Sequence, residues 1–229
     1  MVNVVERVDN WVKIERVLVS VADKAGLETL VEGLAAINPA VRFYSTGGTY
    51  QAIAGILGAE RAAANLQPVA AYTGQPETQG GLVKTLDFKI YLGLLTETYN
   101  PAHQADLART GAVPLDMVVV NLYPFQQTIA RAGVTVEEAR GQIDIGGPTM
   151  IRAAAKNYLR VAAVVDPADY EGLVASLRAN SGRLSLAERF TLAQKAFAHT
   201  AEYDRAIGLY LARQDPAAVP AVYTLEEAS

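Results

Sequence analysis

The sequence predicts an α/β domain: a mostly parallel sheet covered by helices on both faces, with one long helix near the C-terminal end. Short β-branched apolar runs recur along the first 165 residues, helical patterns separate them, and the stretch from Ser185 reads as a single unbroken helix. Strands apolar on both faces and interleaved with helices belong to parallel sheets, because the crossover helices cover both sides. In order, Val17-Leu18-Val19-Ser20-Val21 is a buried strand, followed by a helix from about Lys24 to Ile37. Val41-Arg42-Phe43-Tyr44 is a second strand and Thr49 to Leu57 a second helix. Ile90 to Leu95 and Met117 to Asn121 are read as further strands, with a helix near Ala102 to Thr110 between them. Leu159 to Val165 is the next strand, and a helix starts near Pro167.

The long helix is expected to run from Ser185 to roughly Arg213. Ser185 with Glu188 fits a capping box. Leu186, Phe190, Ala193, Phe197, Ala201 and Ile207 recur at helical spacing, a face for packing on the sheet or on a partner subunit. The domain is placed at residues 14–213, with 1–13 and 214–229 as terminal extensions. The tail from Asp215, with Pro216 and Pro220, is expected to be a poorly ordered end.

Composition removes several classes of function. Net charge is −4 with no basic stripe, so no nucleic-acid partner is expected. The apolar runs are strand-sized and the first 13 residues lack an apolar core, so neither a membrane span nor a signal peptide is expected. A cytoplasmic location follows as the default. The absence of cysteine removes thiol nucleophiles and thiolate zinc sites. Two histidines, His103 and His199, stand far apart, and neither HExxH nor GxSxG occurs. Catalysis would have to run on Lys, Asp, Tyr, Asn, Ser or Thr side chains and on backbone amides.

Ligands of parallel sheets bind at the carboxyl ends of the strands, which directs attention to the loops after Val21, Tyr44 and Asn121 and to the segment leading to Asp144. Ser45-Thr46-Gly47-Gly48-Thr49 lies between a strand and a helix. Its glycines open backbone N–H groups at a helix N-terminus, and its three hydroxyls can donate to phosphate. An ordinary strand-to-helix turn is the blander reading. Asp144-Ile145-Gly146-Gly147-Pro148 precedes a helix in which Arg152 and Lys156 share one face. Asp144 is placed to accept or orient a proton, although a charge pair on a helix is usually a solvated face. Asn121-Leu122-Tyr123-Pro124 sets an amide and a phenol at a strand end. Lys84, beside Thr85, is an ammonium in an otherwise uncharged stretch, and Ser20 and Lys24 flank the first strand-to-helix turn.

Taken in order, SVADKAG, STGGT, YTGQPET with GGLVKTL, DMVVVNLYPF and IDIGGPTMIRAAAKN resemble the successive signatures of the IMP cyclohydrolase domain of the bifunctional formyltransferase/cyclohydrolase. The later run RFTLAQKAFAHTAEYDRAI is similar to the helix that follows in that family. The resemblance covers about Val17 to Leu211. It implies a methylglyoxal-synthase-like three-layer fold and a homodimer that needs no metal or organic cofactor. The implied reaction is dehydrative closure of a formamido-imidazole-carboxamide ribonucleotide to inosine monophosphate.

Carried over by position, the resemblance puts the phosphate on Ser45, Thr46, Gly47, Gly48 and Thr49, with Ser20 and Lys24 beside the ribose-phosphate. Lys84, Thr85, Asn121, Tyr123, Asp144, Gly146, Gly147 and Lys156 would surround the reacting groups. Asp144 is the expected base. Lys84 and Tyr123 are the expected donors to the formyl oxygen, and Lys156 or Tyr123 the acid that releases it as water. The sequence departs from the family pattern at Leu82, Asp87, Phe88, Tyr91 and Leu92, where an arginine, His-Pro and His-Gly are usual. A standalone cyclohydrolase is expected, its formylated substrate supplied by a separate formyltransferase. Two other readings stay open: a non-catalytic purine-nucleotide-binding module, and a phosphate-eliminating lyase of the methylglyoxal-synthase type.

Overall fold

The computed structural model describes residues 4–75 and 83–226. Among them five parallel strands form the central sheet: β2 (Arg16–Val21), β3 (Arg42–Ser45), β4 (Leu66–Pro68), β5 (Met117–Asn121) and β6 (Ala162–Val164), in the spatial order β4-β3-β2-β5-β6. A separate two-stranded sheet pairs β1 (Trp11–Lys13) antiparallel with β7 (Arg183–Ser185). Val17, Val19 and Val21 of β2 point to one face of the main sheet. There they meet α1 (Leu27–Ile37), α2 (Gly47–Asn65) and α9 (Tyr170–Ala179). Leu18, with Val118 and Val120 of β5, points to the other face, under α4 (Phe88–Leu95), α8 (Gly146–Lys156) and α10 (Leu186–Ala212). Short helices α3 (Val69–Thr73), α5 (Pro101–Thr110), α6 (Phe125–Ile129) and α7 (Val136–Gly141) complete the crossovers. Among the described residues no helix is long and apolar enough to cross a membrane.

Several expectations need correction. The run Ile90–Leu95, read as a strand, is helical in α4. Asp87 accepts the Lys89 N–H at 2.8 Å as its N-cap. At the other end Asn157 donates to the Leu94 and Thr96 carbonyls, and Arg160 to those of Gly93, Thr96 and Leu115. The short apolar run did not distinguish the two structures, and side chains about 60 residues away satisfy the helix end. Gly26, at φ +67, delays α1 to Leu27, and α2 starts at Gly47 and runs on past a kink at Gly58. Only Ala162–Val164 of the expected Leu159–Val165 strand is extended. The tail is not loose throughout, since Tyr223 donates to Glu137 at 2.7 Å.

The long helix begins with the expected capping box, but of the expected face only Ala193 is buried within the chain. Arg189, Ala193, Ala196, Thr200, Tyr203 and Ala206 turn inward, whereas Phe190 and Phe197 remain 44% and 39% exposed and Ala201 is also exposed. Small residues let the helix lie close to β6 and α8, and the aromatics fall to its flanks. Phe190 meets Tyr158 edge-on there, and Phe197 lies beneath the Arg152 guanidinium.

Arg189 is fully buried. Its guanidinium donates to five carbonyl oxygens, those of Asp9, Asn10, Tyr158, Leu159 and Leu184. Burial holds it down to about 10, still charged at neutral pH. The ion is solvated by backbone, and it fastens α10 to the N-terminal segment and to the turn before β6. Arg189→Met is therefore expected to destabilise the fold by about 3 kcal/mol or more. In a chain of this size that lowers Tm by roughly 6–12 °C, measurable by circular dichroism.

Candidate active site

Strand order reverses between β2 and β5, and chains leaving such a switch point in opposite directions open a crevice at the carboxyl edge. A crevice of about 590 Å³ lies there, walled by the loops after β2, β3 and β5, by Lys84–Leu86 and by the start of α8. Its size suits a small-molecule ligand.

One end of the crevice is built for an anion. The first N–H groups of α2 have no carbonyl partner within the helix, and Thr46, Gly47 and Gly48 line the wall. Gly47 sits at φ +50, and a Cβ on it would stand 3.6 Å from the Lys84 Nζ. A Cβ on Gly48 would stand 3.9 Å from the Lys24 Nζ. Two ammonium groups thus flank one helix N-terminus, and their charges add to its dipole. The hydroxyls are divided differently from expectation. Ser45 is fully buried, lies outside the crevice wall and donates to the Val19 carbonyl at 2.7 Å. Thr49 donates to the Val21 carbonyl at 3.0 Å and accepts the Val21 N–H at 3.2 Å. Both tie β3 and α2 to β2, so the cradle rests on backbone amides, Thr46 and the lysines. Ser20 lines the same wall.

The other end carries the acid–base group. Asp144 precedes α8, and its Oδ1 accepts the Gly147 N–H at 2.9 Å. A Cβ on Gly147 would lie 2.6 Å from the Asp144 Oδ2, and one on Gly146 the same distance from the Thr85 Oγ1. The bare backbone therefore lets the carboxylate and Thr85 close over the helix start. Burial pushes the Asp144 carboxyl above the usual carboxylate range, against the N–H groups of Gly147 and Tyr123. Tyr123 is 52% exposed on the wall. Asn121 also lines it, but its amide accepts the Asp23 N–H at 2.9 Å and donates to the Asp23 carbonyl at 2.7 Å. That pair splices the loop after β2 to the end of β5.

Lys156 does not join them. It is exposed in the last turn of α8, ten residues of helix rise (about 15 Å) beyond Gly146, and does not line the crevice. The described residues that depart from the family pattern also lie outside the crevice wall. Leu82 is outside the described residues. Asp87 caps α4, Phe88 faces solvent, and neither Tyr91 nor Leu92 lines the crevice. Tyr91 packs on the core beside α8, where burial pushes its phenol up to about 12. Leu86, Ile143, Ile145 and Met150 line the crevice without having been anticipated, since isolated apolar residues carry no chemical signal in a sequence. A second crevice of about 880 Å³ lies across Tyr123 and shares Ala22 and Asn121 with the first. Among the described residues no group of three or more histidines and carboxylates converges as metal ligands would.

Comparison with known proteins bears on the family. Residues 26–149 match the MGS-like domain model, and residues 154–229 match the AICARFT/IMPCHase bienzyme model. Similar proteins include the "Bifunctional purine biosynthesis protein PurH" of Magnetococcus marinus, 45% identical over 218 residues, covering 93% of this chain and 40% of that protein. The protein of the same name from Chloroflexus aurantiacus is 48% identical over 204 residues, covering 89% and 38%. The chain thus spans about 40% of the length of these curated relatives. Among solved structures, the crystal structure of ForH superposes with a TM-score of 0.68 at 29% identity, over 85% of this chain and 97% of that one.

Lys24→Met and Lys84→Met are each expected to weaken binding of inorganic pyrophosphate by about 10-fold or more in low-salt calorimetry, the loss of one charge-assisted contact. Ser45→Ala should leave that affinity within about twofold, because its hydroxyl serves the sheet. Asp144 allows a stability test. Its carboxyl binds a proton more tightly in the folded chain than in the unfolded one. Its contribution to stability is therefore full below the unfolded pKa and is lost as pH rises through the raised folded value. Asp144→Asn, which keeps an acceptor for Gly147, should accordingly raise Tm at pH 7 relative to the parent and lose that advantage near pH 4.

Proposed function

Since the chain belongs to the MGS-like domain family, we propose that it acts in purine biosynthesis as an IMP cyclohydrolase, closing the ring of a formamido-imidazole-carboxamide ribonucleotide with loss of water. The observation that carries this reading is the pairing, within one crevice, of an anion cradle flanked by two lysines with a half-buried carboxyl of raised proton affinity. The match to the bienzyme model and the relatives named PurH support the same reading.

The substrate carries both reacting groups, so holding them together supplies much of the rate. The phosphate lies on the amides of Gly47 and Gly48 with Lys24. The carboxamide nitrogen attacks the formyl carbon as one of its protons passes to Asp144, a base whose raised pKa brings it nearer the working pH. The formyl oxygen gathers charge as its double bond opens. The Tyr123 hydroxyl donates to it, and the Lys84 ammonium adds positive field. Asp144 returns its proton to that oxygen. Water then leaves as the formamido nitrogen gives up its proton and the new C=N bond forms. Lys156, remote from the crevice, is given no part in these steps.

This reading includes a formyltransferase as the source of substrate, a cytoplasmic setting and a second copy of the chain as partner. Phe190, Phe197, Leu209 and Leu211 of α10 are exposed, as such a partner would require.

The test is to mix the protein with the formylated ribonucleotide, without metal or folate, and follow the ultraviolet change as the purine ring closes. Closure above the uncatalysed background is expected, and nucleotide bound without closure would refute catalysis. Asp144→Asn should lower kcat by about 10²–10⁴-fold and leave the affinity for inosine monophosphate within about threefold. In the parent, kcat should rise with pH as Asp144 ionises, with a midpoint above the ordinary aspartate value.

A further inference from the structure

Asp144 stands in irregular chain between α7 and α8, and its backbone is tied down from an unexpected direction. The Asp144 N–H donates to the Tyr203 hydroxyl at 2.8 Å, and that hydroxyl donates to the Gln142 carbonyl at 3.1 Å. Tyr203 lies 59 residues farther along, on α10, and is only 8% exposed. Its ring meets Phe125 edge-on, with centroids 6.2 Å apart, and Phe125 opens α6 two residues after Tyr123. One side chain therefore reaches toward both arms of the crevice wall, through its ring at Phe125, two residues after Tyr123, and through its hydroxyl at Asp144.

We propose that Tyr203 is a positioning residue for the Asp144 carboxyl, a role that rests on the cyclohydrolase reading above. The ring carbons alone fill the apolar cluster with Phe125, Ala139 and Ala206, and packing there needs no hydroxyl. The hydroxyl instead brackets the two peptides that lead into Asp144. The end of α7 holds Gln142 and Ile143 through the Ala139 and Arg140 carbonyls, but the Asp144 N–H is received by Tyr203. The phenol is carried on α10, the helix that the buried Arg189 ties to the Leu184 and Leu159 carbonyls. Removing the hydroxyl frees the peptide plane that aims the carboxyl, and a displacement of about 1 Å from the reacting geometry costs as much as 10²-fold in rate.

Tyr203→Phe keeps the ring and removes only the fastening. A 10- to 100-fold fall in kcat is expected, with KM and the affinity for inosine monophosphate within about twofold of the parent. Because the hydroxyl acts through Asp144, adding Tyr203→Phe to Asp144→Asn should cause no further loss. Tyr210→Phe is the control. Tyr210 also meets Phe125 edge-on, at 5.9 Å, but its hydroxyl reaches Thr135, so kcat should be unchanged. A parent that turns over and a Tyr203→Phe variant that matches it would overturn the positioning role alone. An equal fall in both backgrounds would overturn it too, since the hydroxyl would then act independently of Asp144. A parent that closes no ring would overturn the function and the positioning role together.

Discussion

Parallel neighbours in a sheet must be joined by chain that travels back the length of the sheet, and here helices make each return. Strand ends of one polarity therefore gather along a single edge. Between β2 and β5 the windings diverge, which leaves space at that edge. Two helices, α2 and α8, begin at the same crevice, so their unpaired N–H groups open onto it. An anion at one helix start and a carboxylate over the other are the natural guests of such an arrangement. The position of the site follows from connectivity before any catalytic side chain is chosen.

Division of labour among the polar groups is the second lesson. The hydroxyls of Ser45 and Thr49 and the amide of Asn121 look like ligand contacts by position, yet each is engaged by neighbouring backbone. They fix the distances between β2, β3 and β5. What remains for a ligand is backbone N–H, the hydroxyls of Ser20, Thr46 and Thr85, two ammoniums, a phenol and one carboxyl. Groups held in place by others reorganise little when charge develops beside them.

Strands β2 and β5, the capping box of α10 and the glycine-flanked loops were legible because each is a local pattern with a local cause: β-branched runs, a Ser–Glu pair three residues apart, glycines beside a helix start. The departures had distant causes. α4 was read as a strand because its run is short and apolar, and its helical end is satisfied by Asn157 and Arg160. Lys156 was grouped with Asp144 by motif, although it stands ten residues of helix rise beyond the start of α8. The inner face of α10 shares only Ala193 with the expected one, because Ala193 and Ala196 admit β6 and α8 closely while Arg189 and Tyr203 turn inward to satisfy distant backbone groups. The pairing of β1 with β7 joins segments about 170 residues apart, beyond the reach of any periodicity.

The guanidinium of Arg189 also imposes an order in time. It donates to the Asp9 carbonyl, 180 residues away and next to the site where β1 meets β7. A chain emerging from the ribosome at about 5–20 residues per second carries its first strand unpaired for on the order of ten seconds or more. The entropy of closing so long a loop grows only slowly with length, so the hazard of this topology is the wait. During it, Trp11 and Val12 present an open edge to any other nascent chain. The strand is three residues long and ends in Lys13, which makes it a poor template for a stranger and adequate for the partner that arrives last.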